Sequence, residues 1–132
     1  MSLKSFVHTG EGDSPLYASS GGWFLVWKNG GPENDAAALR ELVCHPKAEE
    51  ATILIAGRGV IITSDTRNLV DVRIQQMVLN TAYVTPPNVW HKTLLSRDGK
   101  AVVVQDREME TLKQPVSRAK LAEILTIVKG LL

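Results

Sequence analysis

The chain has 132 residues, 44% of them apolar and 22% charged, the balance of one water-soluble domain with enough chain to bury a core. Fifteen basic against fourteen acidic side chains leave a net charge of +1, without the basic excess that draws a protein to a phosphate backbone or an anionic membrane, so neither nucleic acid nor membrane is an expected partner. Cys44 stands alone, which excludes an internal disulfide and a four-cysteine zinc site and fits a reducing compartment, by default the cytoplasm.

The N-terminal stretch MSLKSFVHTGEGDSP lacks the apolar core of a signal peptide and reads as a solvated leader, His8 included. No apolar run reaches the roughly 18 to 20 residues that cross a bilayer. The first strand expected is GWFLVWK (22–28), followed after the loop NGGPEND by ALRELVCH (38–45) and, across Pro46, by ATILIAG (51–57). The turn GRG (57–59) then predicts a hairpin into VIITS (60–64). VDVRIQQMVL (70–79), AYVTP (82–86), HKTLLS (91–96) and, after RDGK, AVVVQD (101–106) complete the series. Short strands with short connections argue an all-β antiparallel sandwich or barrel. In the tail, Leu121, Ile124, Leu125, Val128 and Leu132 recur at helical spacing behind Ser117, a candidate N-cap. One C-terminal helix, about 117–131, is expected to lie against the barrel or a partner subunit.

Two segments carry the candidate chemistry. In CHPKAEEATILIAGRG, His45 precedes Glu50 by five residues, and Gly57 follows. In PPNVWH, a stiff Pro86-Pro87 turn leads through Asn88 to His91. The first segment resembles the first sequence motif of the cupin superfamily, which normally opens with two histidines spaced by one residue; here Val43 takes the first position. The second resembles the superfamily's second motif, with Asn88 at its glycine, since asparagine tolerates positive φ better than most residues, and Leu95 at its asparagine. The resemblance spans about residues 38–107. It implies a single cupin-type jelly-roll β-barrel, core about 22–107, with one C-terminal α-helix.

Strand alternation agrees with that implication. It puts Val43 and His45 on one face of a strand and Glu50, Thr52 and Leu54 on one face of the next, while the proline turn aims His91 from a third. Two imidazoles and a carboxylate suit Fe, Mn, Ni or Zn as a divalent metal, with coordination positions left for water and substrate. No organic cofactor is expected. Glu49 neighbours Glu50, so a slip of one residue would exchange which carboxylate faces inward. Glu49, Glu41 and Tyr83 are candidates for a general base, and Tyr83, Arg73, Gln75 and Gln105 for polar lining. Trp23 and Trp27 read as core or interface anchors, Trp90 as packing outside the cavity, and Cys44 as a small buried apolar residue.

A narrower resemblance is to ureidoglycolate lyase and its cupin-like relatives, carried by His45-Pro46, Asn88-Val89-Trp90-His91 and Val104-Gln105-Asp106-Arg107. It implies a lyase or hydrolase acting on a small ureido or hydroxy acid. Positions 49 and 50, however, hold glutamates where that pattern usually carries glutamine and alanine. Three function classes stay open: a metal-assisted enzyme (lyase, hydrolase or isomerase) on a small polar carboxylate, ureido or sugar-like substrate; a metal-free binding or sensing module; and a structural dimer. A homodimer fits all three, because open sheets leave edges to pair.

Overall fold

A computed structural model describes residues 2–107 and 109–132. Ten strands form two antiparallel sheets of five. The first sheet holds, in spatial order, β1 (Gly12–Ala18), β2 (Trp23–Asn29), β9 (Lys100–Asp106), β4 (Glu50–Ala56) and β7 (Ala82–Thr85). The second holds β10 (Leu112–Pro115), β3 (Glu41–Cys44), β8 (Trp90–Leu95), β5 (Gly59–Ser64) and β6 (Arg73–Gln76). Apart from the neighbouring pairs β1–β2 and β5–β6, successive strands alternate between sheets, and the two layers face each other as a jelly-roll barrel. The helix α1 (Arg118–Val128) follows, its N-terminus capped by Ser117 Oγ, which accepts from the Lys120 amide at 3.2 Å.

The inward residues form layers, because partners directly opposite in the ladder share a face. Glu50 lies opposite Gln105, Thr52 opposite Val103, and Leu54 opposite Ala101. On β8 the same order reads His91, Thr93, Leu95. The barrel interior therefore runs from polar to apolar along its strands. One end is plugged by Leu54, Ile61, Met77, Leu95 and Ala101, with Tyr83 against them. The other end keeps the histidines and Glu50. A second core lies outside the second sheet, where Leu42, Cys44, Val60, Ile62, Trp90 and Leu94 meet Ile124 and Val128 of α1. The C-terminal helix thus covers its own barrel.

Several sequence expectations change. Two of the four edge strands, β1 and β10, fall in segments not expected to be extended. Each contains a proline, Pro15 beside a bulge and Pro115 at a strand end, and edge strands tolerate the lost donor. The GRG turn makes no hairpin ladder: β4 and β5 belong to different sheets. Gly57, at φ 68°, packs so closely on Gly99 that a Cβ would meet its backbone at 2.7 Å, and the chain crosses there between layers. Of VDVRIQQMVL only Arg73–Gln76 is strand; Leu69 and Asn80, both at positive φ, bracket it with turns. The expected start at residue 38 gives way to a 3₁₀ turn over Ala36–Ala38, before β3 begins at Glu41.

Candidate metal centre

His45 directly follows β3, Glu50 opens β4, and His91 is the second residue of β8. All three are buried. One ligand atom from each lies within 4.8 Å of the others. His45 Nε2 is 3.4 Å from Glu50 Oε2, and His91 Nε2 is 3.2 Å from Glu50 Oε1. The proline turn helps to set this geometry. Asn88 adopts φ 67° and its amide donates to the His45 carbonyl at 3.1 Å, so the turn that delivers His91 is tied to the residue carrying the other imidazole.

The far side of each ring fixes what the near side presents. His91 Nδ1 lies 2.9 Å from the Val89 carbonyl, and His45 Nδ1 lies 3.2 Å from the Glu110 carbonyl, with Thr111 Oγ1 also at 3.2 Å. A carbonyl oxygen only accepts, so Nδ1 carries hydrogen in both rings. In the neutral rings each Nε2 then directs a lone pair at a carboxylate oxygen. That arrangement repels unless a proton or a cation sits between. The separations exceed the roughly 2.7–2.9 Å of a charge-assisted hydrogen bond, and they match donors each about 2.1 Å from one shared cation. Backbone carbonyls on the outer nitrogens are also what orients metal-ligating histidines. The donor set fits a divalent metal.

Without a metal, protons take its place. Burial opposes the Glu50 charge, but hydrogen bonds from His45 and His91 outweigh it and hold the carboxyl at about 2. The hydrogen bond to Glu50 raises the His45 pKa above its ordinary value, against burial.

The three residues open onto a cavity of about 280 Å³ that Val43, Gln105 and Thr93 also line. Three charged groups not anticipated from the sequence share it: Asp13, Lys28 and Lys92. Lys28 is bound to Asp13 at 2.7 Å. Lys92 is half-buried, and burial lowers its pKa, with Lys28 pushing the same way and Asp13 opposing. Strict alternation would put Lys92 with Trp90 and Leu94 on the outer face. β3 and β8 are in register at Val43–His91, and Lys92, the next residue of β8, nonetheless lines the cavity, where Lys28, Asp13, Glu33 and Glu41 act on its charge.

Of the expected site residues, His45, Glu50 and His91 come together, and Gln105 joins them. Glu50 faces inward while Glu49 is exposed. Glu41 pairs with Lys113 at 3.8 Å on the sheet edge. Tyr83 accepts the Val78 amide at 2.8 Å and lines a separate cavity with Arg73 and Gln75. Glu49, Glu41 and Tyr83 therefore do not line the cavity of the histidines. His8 is half-buried, its Nε2 3.0 Å from the Gly12 carbonyl. Trp90 packs outside the cavity and Cys44 is buried, both as expected; burial pushes the Cys44 thiol up. Trp23 is exposed and Trp27 half-buried, on the outer face of the first sheet.

The chain matches no protein-family model and no curated protein. Solved structures do match. A cupin 2 domain-containing protein from Halorhodospira halophila aligns over 92% of this chain and 79% of its own, at 11% identity and TM-score 0.56. Pac13 of Streptomyces, described as a nucleoside dehydratase and solved with uridine, aligns over 91% and 98%, at 10% identity and TM-score 0.59. An oxalate oxidase in complex with glycolate aligns over 82% and 61%, at 12% identity and TM-score 0.51. Likeness at this level of identity concerns the backbone, and by its backbone the chain is a cupin-type jelly roll.

Proposed function

We propose that the protein is a metal-assisted enzyme acting on a small polar substrate, with His45, Glu50 and His91 holding a divalent ion. The observation that carries this is the convergence of two Nε2 lone pairs on one buried carboxylate, with both Nδ1 atoms already committed to backbone carbonyls. An ion held there would polarise a carbonyl or hydroxyl of a bound ligand and ease loss of a proton from it. The chain supplies the rest. Gln105 and Thr93 line the cavity and offer hydrogen bonds that orient a ligand, and the apolar plug behind them keeps bulk water from the far end. A small acid, ureido compound or sugar-like molecule suits the space, and lyase, hydrolase or isomerase chemistry suits the donor set. The uridine and glycolate bound by proteins of this fold are ligands of that size.

Elemental analysis of protein purified without added metal, then after titration with Mn(II) or Zn(II), tests the reading. About one equivalent is expected. His91→Ala should lower affinity by roughly tenfold or more while circular dichroism shows the barrel intact; full retention of metal would remove His91 from the ligand set. Val43, at the position where the resembled motif carries its first histidine, favours a second reading, a metal-free binding module. Protein that takes up no metal yet is stabilised by a small ligand would establish that one.

We further infer that two copies pair through the outer face of the first sheet. Opposed residues form two apolar rows there: Leu25, Val104, Ala51 and Val84 in one, Trp27, Val102, Ile53 and Ala82 in the other. No helix among the described residues packs against them.

A further inference from the structure

We propose that Lys92 receives a carboxylate of the substrate, so that the ligand carries a second anionic group besides the one that meets the histidines and Glu50. Two lysines line the cavity, and they differ in their partners. Lys28 is neutralised by Asp13 at 2.7 Å, and Asp13 is itself held by the Asn34 side-chain amide at 2.8 Å, so that pair is a finished structural unit. Lys92 enters none of the ion pairs found among the described residues. Asp13, Glu33 and Glu41 act on it only from beyond ion-pair distance, a half-buried ammonium without a direct partner is costly, and Lys92 lines the cavity.

Charge balance points the same way. Asp13 and Lys28 cancel. A divalent ion outweighs Glu50 by one charge, and Lys92 adds another. The loaded cavity is cationic, and a ligand with two negative groups completes it. The position on the chain suits the arrangement: Lys92 is adjacent to His91 on β8, so one strand carries both cavity-lining residues. In this proposal the histidine centre grips one end of a short diacid and Lys92 the other. About 280 Å³ accommodates a four-carbon molecule.

The inference rests on the metal reading for one end of the ligand and on Lys92 for the other, and calorimetry can separate them. L-malate and L-lactate share a hydroxy-acid end, and malate adds the second carboxylate. Mn(II)-loaded native protein should bind malate roughly tenfold or more tighter than lactate, as a charge-assisted hydrogen bond would give. Lys92→Gln should lose that preference while keeping lactate binding and metal content, and Lys92→Arg should restore most of it. Equal affinity for the two acids, no binding of either, or a preference that survives in Lys92→Gln would overturn the role of Lys92. Metal content measured on the same samples isolates the other half. Protein that takes no metal yet prefers malate in a Lys92-dependent way would overturn the metal reading alone.

Discussion

Glu50 and His45 carry opposite pH signatures, and the metal-free protein should display both. The Glu50 carboxyl, held at about 2 against an ordinary value of 4.5, adds stability above pH 4.5 that is lost as pH falls toward 2. The His45 pKa is raised, so its contribution is complete below 6.5 and disappears as pH climbs through the raised value. Chelator-treated protein should therefore melt highest between about pH 4.5 and 6.5 and fall toward pH 8. Metal needs neutral imidazole, so the loaded protein should gain stability over that same upper range and lose metal below about pH 6.5. Melting curves of both forms from pH 4 to 8 check this. Parallel curves would mean that no proton and metal compete at the histidines. The residues of this competition were legible in the sequence because motif spacing and strand alternation act together on His45, Glu50 and His91. Lys92 was not, since alternation assigns it to the outer face, and its place in the cavity lining depends on what packs around β8 rather than on the local pattern. Asp13 was hidden for a different reason: its strand has the composition of a leader.

Among the elements, the turn at residues 86–89 is where local backbone chemistry sets the site. Asn88 sits at φ 67°, in the left-handed region, and its amide holds the His45 carbonyl. A β-branched side chain there should cost roughly 1–2 kcal/mol, while glycine should fall within a few tenths of the native residue. Urea unfolding of Asn88→Val and Asn88→Gly measures the difference, and equal midpoints would show that the turn stores no such constraint. Asn88→Val should also weaken metal binding, because displacing the turn moves both imidazoles. This constraint could be anticipated, as PPN permits few conformations. The central strands and the helix could be too, their periodicity being strong. The edge strands β1 and β10 could not, because a strand bonded on one side accepts a proline that argues against it in sequence. Nor could the destination of GRG, for a tight glycine turn looks the same whether the next strand pairs with the last or crosses to the facing sheet.

The whole molecule is asymmetric in how its two sheets are finished. The second sheet's outer face is buried under α1, whereas the first sheet turns Trp23, Val84 and Val104 to solvent at 44%, 56% and 41% exposure. Antiparallel strands with one wet face alternate apolar and polar residues, yet WFLVW, ATILIA and AVVV are apolar at nearly every position, the pattern of strands covered on both sides. Residues 2–7 shield one corner, where Phe6 and Tyr17 rings lie 5.4 Å apart. The proposed partner covers the rest, since a sheet face meeting its own copy across a two-fold axis satisfies both faces with one surface. Sedimentation should find a dimer at micromolar concentration. Val104→Lys places a charge at the middle strand of the rows; the axis doubles its effect, so this variant should sediment as a monomer with unchanged metal content. Ile127→Lys, on the exposed side of α1, should leave the dimer whole. A native protein that sediments as a monomer, or a Val104→Lys variant that still pairs, would mean that the apolar face serves some other contact and that the cavity operates within one chain.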